Sequence, residues 1–228
     1  MGLKSKLGAA YAKTCFHTKK NWDTVKRRWF LFRVWIRGIF CHRPVWAEAA
    51  TLIVCAHPDD ETIFFSSVMQ EKPYVLCMSN RGNAVRKAEF YRALKHWGVS
   101  GEILNFPDFP GAVWIWRLFA GRRLKRLRRN MPNVRCVYTH SGSGESEHAH
   151  HFAVHNGVKK AFPDCDVYTT AVKIPDGEEG KLSEAAVAEK YQVMLQCYPS
   201  QVHILEKWCS WWTPYLHCEH FERFGSEL

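Results

Sequence analysis

Thr51-Leu52-Ile53-Val54-Cys55-Ala56 runs without interruption into His57-Pro58-Asp59-Asp60-Glu61, and the fold follows from how that junction is read. The first six residues form a short, continuous apolar run closed by a proline, the pattern of a strand buried on both faces. Working outward, Tyr74–Ser79 (YVLCMS), Glu102–Phe106, Val134–Thr139 (VRCVYT) and the weaker Asp166–Thr170 are predicted as further strands. Helical periods fall between them, at 61–70, 84–97, 113–130, 149–161 and 183–197. Strand and helix in alternation predict a three-layer, Rossmann-like α/β domain with a mostly parallel sheet. In such sheets ligands gather beyond the carboxyl ends of the strands, so the chemistry is expected just after strands one to four.

The residues at those ends fit the demand. Three acids at a helix start can cap free N–H groups, which accounts for one carboxylate but not for three preceded by a histidine. His57 and Asp60, three residues apart at a strand end, can converge on one metal, and imidazole with carboxylate suits zinc. After strand four comes a second polar loop, Ser141-Gly142-Ser143-Gly144-Glu145-Ser146-Glu147-His148-Ala149-His150-His151. Its glycines permit a tight path. His148 and His151 are three apart at the start of a helix and can face one side of its first turn. Two histidines and one carboxylate, with a fourth position left for water, is the composition of a catalytic zinc site.

At this point the sequence resembles the PIG-L/LmbE-like N-deacetylases. The likeness rests on His57-Pro58-Asp59-Asp60-Glu61 and on the Gly-rich loop with His148-x-x-His151. Arg86-x-x-Glu89 with Leu94 to Gly98, Pro107-Asp108 and Tyr198-Pro199-Ser200-Gln201 follow in the family's order, over about residues 50 to 205. The resemblance implies that His57, Asp60 and His151 hold a metal, Zn²⁺ or, nearly as well suited to the ligands, Fe²⁺. It implies Asp59 as general base, His148 as the group that polarises or protonates the tetrahedral intermediate, and Arg86 and Asp108 as contacts to a sugar. The implied reaction is hydrolysis of the N-acetyl amide of an N-acetylglucosamine conjugate. One departure stands out: the thiol-pathway branch has a Tyr where this chain has Ser146. The alternative is an inactive member that binds a sugar or a partner, and such a module has no need of Asp59.

Composition bounds the rest. The 228 residues, 46% of them apolar, suffice for one substantial domain. Nine cysteines, none in a CxxC pair and several inside apolar runs, imply reduced thiols and a reducing compartment. Residues 1–50 hold eleven Lys/Arg and two Asp/Glu, so they carry +9 of the formal +10. The expected division is therefore a basic extension, 1–46, and a deacetylase-like domain, 47–228. Trp29, Phe32, Ile36 and Phe40 recur at helical spacing among Arg28, Arg33 and Arg37. That stretch is too short and too charged to cross a bilayer and is no signal peptide. It suits either an anionic membrane surface or packing on the chain's own domain. No reader motif accompanies the charge, so nucleic acid is not an expected partner. The expected location is cytoplasmic, peripheral at the inner face of a membrane.

Other features weigh less. Gly142-Ser143-Gly144 lacks the Lys-Ser/Thr of a phosphate loop. Arg122, Arg123, Lys125, Arg126, Arg128 and Arg129 form a second basic run, read as a solvated helix face, as a contact for a phosphate of the substrate or of a membrane, or as charge balanced by the acids around 176–189. His217-Cys218-Glu219-His220 with Cys209 fits no structural zinc spacing. Trp208, Trp211 and Trp212 suit a packed C-terminal segment or a sugar subsite.

Overall fold

Five parallel strands and one antiparallel edge strand make a single sheet, in a computed structural model that describes residues 48–171, 179–202 and 209–224. The strands are β1 (Thr51–Cys55), β2 (Tyr74–Ser79), β3 (Ser100–Phe106), β4 (Cys136–Thr139), β5 (Asp166–Thr170) and β6 (Phe221–Arg223). The helices are α1 (Asp60–Phe65), α2 (Ala84–Trp97), α3 (Val113–Arg128), α4 (Ala149–Ala161), α5 (Glu184–Cys197) and α6 (Cys209–His217). The basic extension, the helix expected at Trp29–Phe40 and Trp208 lie outside the described residues, as do the side chains of Trp211 and Trp212.

The order across the sheet is β3-β2-β1-β4-β5-β6. From β1 the chain steps outward through β2 to β3, then returns to lay β4 on the other side of β1. The switch point between β1 and β4 is where an open α/β sheet offers a crevice to a ligand. β1 is the central strand and every one of its residues is buried, which is why it reads as an unbroken apolar run. Alternate residues serve opposite faces. Ile53 and Cys55, with Val75, Cys77 and Ile103, enter one core with Phe64, Phe65, Phe90, Leu94, Val193 and Met194 from α1, α2 and α5. Leu52 and Val54 point the other way, towards the layer of α3 and α4, where Trp116, Leu124, Val154 and Val158 are buried. The fold is thus the expected layered α/β domain. Cys55, Cys77, Cys136, Cys165, Cys197 and Cys218 are all free thiols.

Three details depart from expectation. The helix expected at 61–70 stops at Phe65 and continues as a 3-10 segment, Ser66–Glu71. Its break is held from outside. The Glu219 carboxylate accepts Ser66 N–H at 2.9 Å and Ser67 N–H at 2.8 Å, together with both hydroxyls. Lys190, fully buried, reaches the same carboxylate at 2.5 Å. Glu219 is therefore a structural clamp on this turn. The second departure is α6 with β6, an antiparallel ending that short, mixed sequence did not announce. Third, the basic run on α3 is not wholly solvated: Arg123 is 1% exposed, while Arg122, Lys125 and Arg126 face outward.

Candidate metal centre

The chain leaves β1 through Ala56 and turns at Asp59, whose φ of 108° lies in the region that favours glycine. A non-glycine residue held there is strained, and such strain collects at functional sites. The turn assigns the three acids three separate tasks. Glu61 Oε2 accepts Asp59 N–H at 3.0 Å, while its other oxygen takes the Tyr198 hydroxyl at 2.5 Å. Asp60 Oδ2 accepts Ala56 N–H at 3.1 Å and His57 N–H at 2.7 Å. Asp59 makes no side-chain cap at all. Its carboxylate meets Arg86 Nη2 at 2.8 Å instead. Capping accounts for Glu61 alone.

Asp60 Oδ2 is the hub of the imidazole cluster. His57 Nδ1 lies 3.4 Å from it and His151 Nε2 3.5 Å. Tetrahedral zinc ligands at normal bond lengths sit roughly 3.3–3.4 Å from one another, so these donors fit one ion. His57, His148 and His151 also offer nitrogens that all lie within 4.8 Å of each other. Metal-ligating histidines normally give their second N–H to a carboxylate, which fixes the tautomer. His151 does so here, with Nδ1 2.6 Å from Glu145 Oε2; His57 Nε2 meets His150 Nδ1 at 3.1 Å and lies 3.3 Å from Asp108 Oδ1. The donor chemistry and the carboxylate behind His151 therefore match what a zinc-type site requires.

Glu145 does more than back one ligand. The same oxygen meets His140 Nδ1 at 2.8 Å, and the other accepts Ser141 N–H at 2.9 Å and bonds Thr170 Oγ1. His140, fully buried, stacks on His151 at 3.8 Å between ring centroids and brings Nε2 to 3.3 Å from Asp60. Burial opposes charge on His140, but Glu145 and Asp60 outweigh it and lift its pKa to about 9. Burial likewise raises Asp60, yet His151 and His140 hold its carboxyl well below the usual range. The loop reaches this arrangement through Gly144 at φ 72°, where a Cβ would come within 2.6 Å of His148 O.

The remaining residues fall around this hub. Asp59 is pushed up to about 6, first by burial and then by Asp60, with Arg86 acting against both. His148 precedes α4, and its Nδ1 accepts His150 N–H at 3.3 Å. That bond leaves the ring proton on Nε2 in the neutral form. Burial, then His151 and His57, bring the His148 pKa down to about 3, so neutral is the form that persists. Arg86 is 8% exposed, and its guanidinium bonds Asp59, Glu89 at 2.9 Å and the Pro58 carbonyl. It stands behind the loop as an orienting group. Ser200 in turn donates its N–H and hydroxyl to Glu89, both at 2.8 Å. The chain Ser200–Glu89–Arg86–Asp59 thus ties the end of α5 to the loop. Asp108 keeps 41% of its side chain exposed and takes Asn80 Nδ2 at 2.8 Å.

All seven residues singled out from sequence therefore meet at one sheet end. Sequence reasoning missed His140, Glu145, His150 and Trp116. His140 directly follows Thr139, the last residue of β4, so the strand-end rule that found His57 also points to it. Trp116 carried no signal among its apolar neighbours, yet it stacks on His150 at 4.5 Å and donates its indole N–H to Pro107 O at 2.7 Å.

These observations define an α/β domain with a two-histidine, one-carboxylate centre at the switch point of its sheet. Residues 52–162 match the family PIG-L, GlcNAc-PI de-N-acetylase. It is 29% identical over 126 residues to the probable N-acetylglucosaminyl-phosphatidylinositol de-N-acetylase of Dictyostelium discoideum, covering 48% of each chain. Identity to the N-acetylglucosaminyl-phosphatidylinositol de-N-acetylase of Bos taurus is also 29% over 126 residues, covering 48% of this chain and 49% of that one. The chain thus spans about half the length of the curated relatives it matches. Among solved structures, the A40926 pseudoaglycone deacetylase Dbv21 superposes with a TM-score of 0.57 at 16% identity, over 70% of this chain and 85% of that one. A deacetylase triple mutant from the teicoplanin biosynthetic pathway gives 0.58 at 13% identity, over 78% and 100%. At that identity both speak for the fold.

Proposed function

We propose that this chain is a metal-dependent N-deacetylase that hydrolyses the N-acetyl amide of an N-acetylglucosamine conjugate, giving acetate and a free amino sugar. One observation carries the reading: Asp60 Oδ2 lies 3.4 Å from His57 Nδ1 and 3.5 Å from His151 Nε2, with the Asp59 carboxylate one residue away. His57, Asp60 and His151 would hold the ion, zinc or iron(II) by ligand type. Bound there, it would supply a Lewis acid and lower the pKa of water towards about 7.

The protein's own groups do the rest. Asp59, held by Arg86 at 2.8 Å, accepts the proton of the attacking water and returns it to the leaving amine. His148 offers its Nε2–H to the oxygen on which charge develops; a donor of that kind is worth about 10²–10³ in rate. This assigns Ser146 no part in that step. Asp108, half-open to solvent beside His57, suits a sugar hydroxyl at the rim. Arg86 serves through Asp59.

The substrate class follows the curated relatives, whose names specify N-acetylglucosaminyl-phosphatidylinositol. A lipid-linked or membrane-surface conjugate also accords with the basic, Trp-rich residues 1–46, for which we propose peripheral contact with an anionic membrane facing the cytoplasm. No helix among the described residues is long and apolar enough to cross a membrane. The test is acetate release from GlcNAc-inositol, GlcNAc-malate and a GlcNAc-diphosphate-lipid mimic, by metal-stripped and zinc-restored protein side by side. Zinc-dependent release is expected. A protein that takes up no metal, or one that holds metal yet releases acetate from none of the panel, overturns the reading.

A further inference from the structure

The helices α3 and α4 show different chemistry on their two sides. Inward they carry Trp116, His150 and His151, all buried at the metal centre. Outward they enclose a groove of about 450 Å³, edged by Arg117, Arg122, Lys125 and Lys160. Leu118 and Phe152 also line it, and they remain 50% and 39% exposed. Its floor is where the two backbones meet. A Cβ on Gly157 would come 3.2 Å from Gly121 N and 3.1 Å from a Leu124 methyl, so these glycines let the helices cross closely.

Among the described residues, none of Arg117, Arg122, Lys125 and Lys160 meets a carboxylate. Neither helix contains an acid: α3 holds six Lys/Arg and α4 holds two. A merely solvated helix face usually interleaves both signs, often as i,i+4 pairs. A face packed within its own domain would not leave Leu118 and Phe152 open. Positive charge around exposed apolar side chains is instead the chemistry that meets an anionic amphiphile.

We propose that the α3/α4 groove docks on an anionic phospholipid surface. Arg117, Arg122, Lys125 and Lys160 contact lipid phosphates, and Leu118 and Phe152 enter the boundary between headgroups and acyl chains. A soluble phosphate ester would satisfy the cations but leave both apolar side chains in water. The inference is independent of hydrolysis and separate from any role of residues 1–46.

The experiment is co-sedimentation of the full chain with phosphatidylcholine vesicles, with and without phosphatidylserine, at rising salt. Binding is expected only with phosphatidylserine and should weaken as salt increases. A basic residue at such a surface is worth about fivefold in partition, so Arg117→Gln/Arg122→Gln/Lys125→Gln together should lower it about a hundredfold. Leu118→Ser/Phe152→Ser should weaken binding while leaving its salt dependence in place. All five positions are exposed, and an unchanged circular dichroism spectrum verifies folding. A companion variant with Lys4, Lys6 and Lys13 changed to Gln removes the same charge from the extension. Two results overturn the proposal: no binding to phosphatidylserine vesicles, or full binding by the triple α3 variant while the Lys4/Lys6/Lys13 variant loses it. Capture of glycerophosphate without vesicle binding also overturns it, in favour of a soluble ligand.

Discussion

The loop after β1 delivers His57, Asp59 and Asp60 within four residues, whereas the loop after β4 needs twelve, His140 to His151, to deliver two imidazoles and their support. The first is anchored by backbone: Ala56 N–H and His57 N–H fix Asp60, and α1 begins at once. The second is anchored by one side chain, Glu145, whose carboxylate touches His140, His151, Ser141 N–H and Thr170. The difference teaches where each half is vulnerable. On the proposed reading the β1 half is lost with His57, Asp59 or Asp60 themselves, whereas the β4 half also depends on one buried carboxylate, Glu145.

Removing a donor from either half should have the largest effect. Asp60→Ala and His151→Ala are both expected to lose bound metal and to bring acetate release down to background, measured by metal analysis beside turnover. A His151→Ala protein with one metal per chain would mean that the β4 half supplies no ligand. Next in size, Asp59→Asn should lower kcat by about 10²–10⁴-fold, the usual contribution of a general base, with metal content unchanged. Loss of metal in that variant would move Asp59 into the ligand set. The smallest effect sharpens the contrast most. Glu145→Gln should weaken metal affinity by about 10–100-fold, as orienting carboxylates do. Asp108→Asn should cost less, because Asp108 stands 3.3 Å from His57 and is 41% exposed, against 2.6 Å and full burial for Glu145. Competition titration with a chelator ranks the two; equal losses would remove the asymmetry between the loops.

Much of the fold was legible because burial and periodicity coincide. β2, β5, α2 and α4 fall where the apolar pattern predicted them, to the residue. β4 starts two residues late, at Cys136, because Arg135 N–H and Cys136 N–H both bond Ala50 O and the ladder is irregular there. The seven candidate site residues were legible because strand ends in a parallel sheet converge on one edge. Glu145 was not, since a glutamate in a Ser/Gly loop is ordinarily a solvated one, and only the closed loop buries it.

The sequence by itself determined the layered α/β order and the edge of the sheet where the seven candidate residues gather. These follow from local pattern: a buried parallel strand must be apolar throughout, and its polar successors must lie at its end. Only the tertiary structure decided how those groups divide their work. Asp59 is turned from capping by Arg86, 27 residues away, and α1 is broken at Ser66 by Glu219, 153 residues away. Both depend on buried carboxylates and partners far apart in sequence, and a carboxylate taken out of water must find its partner wherever the fold brings one.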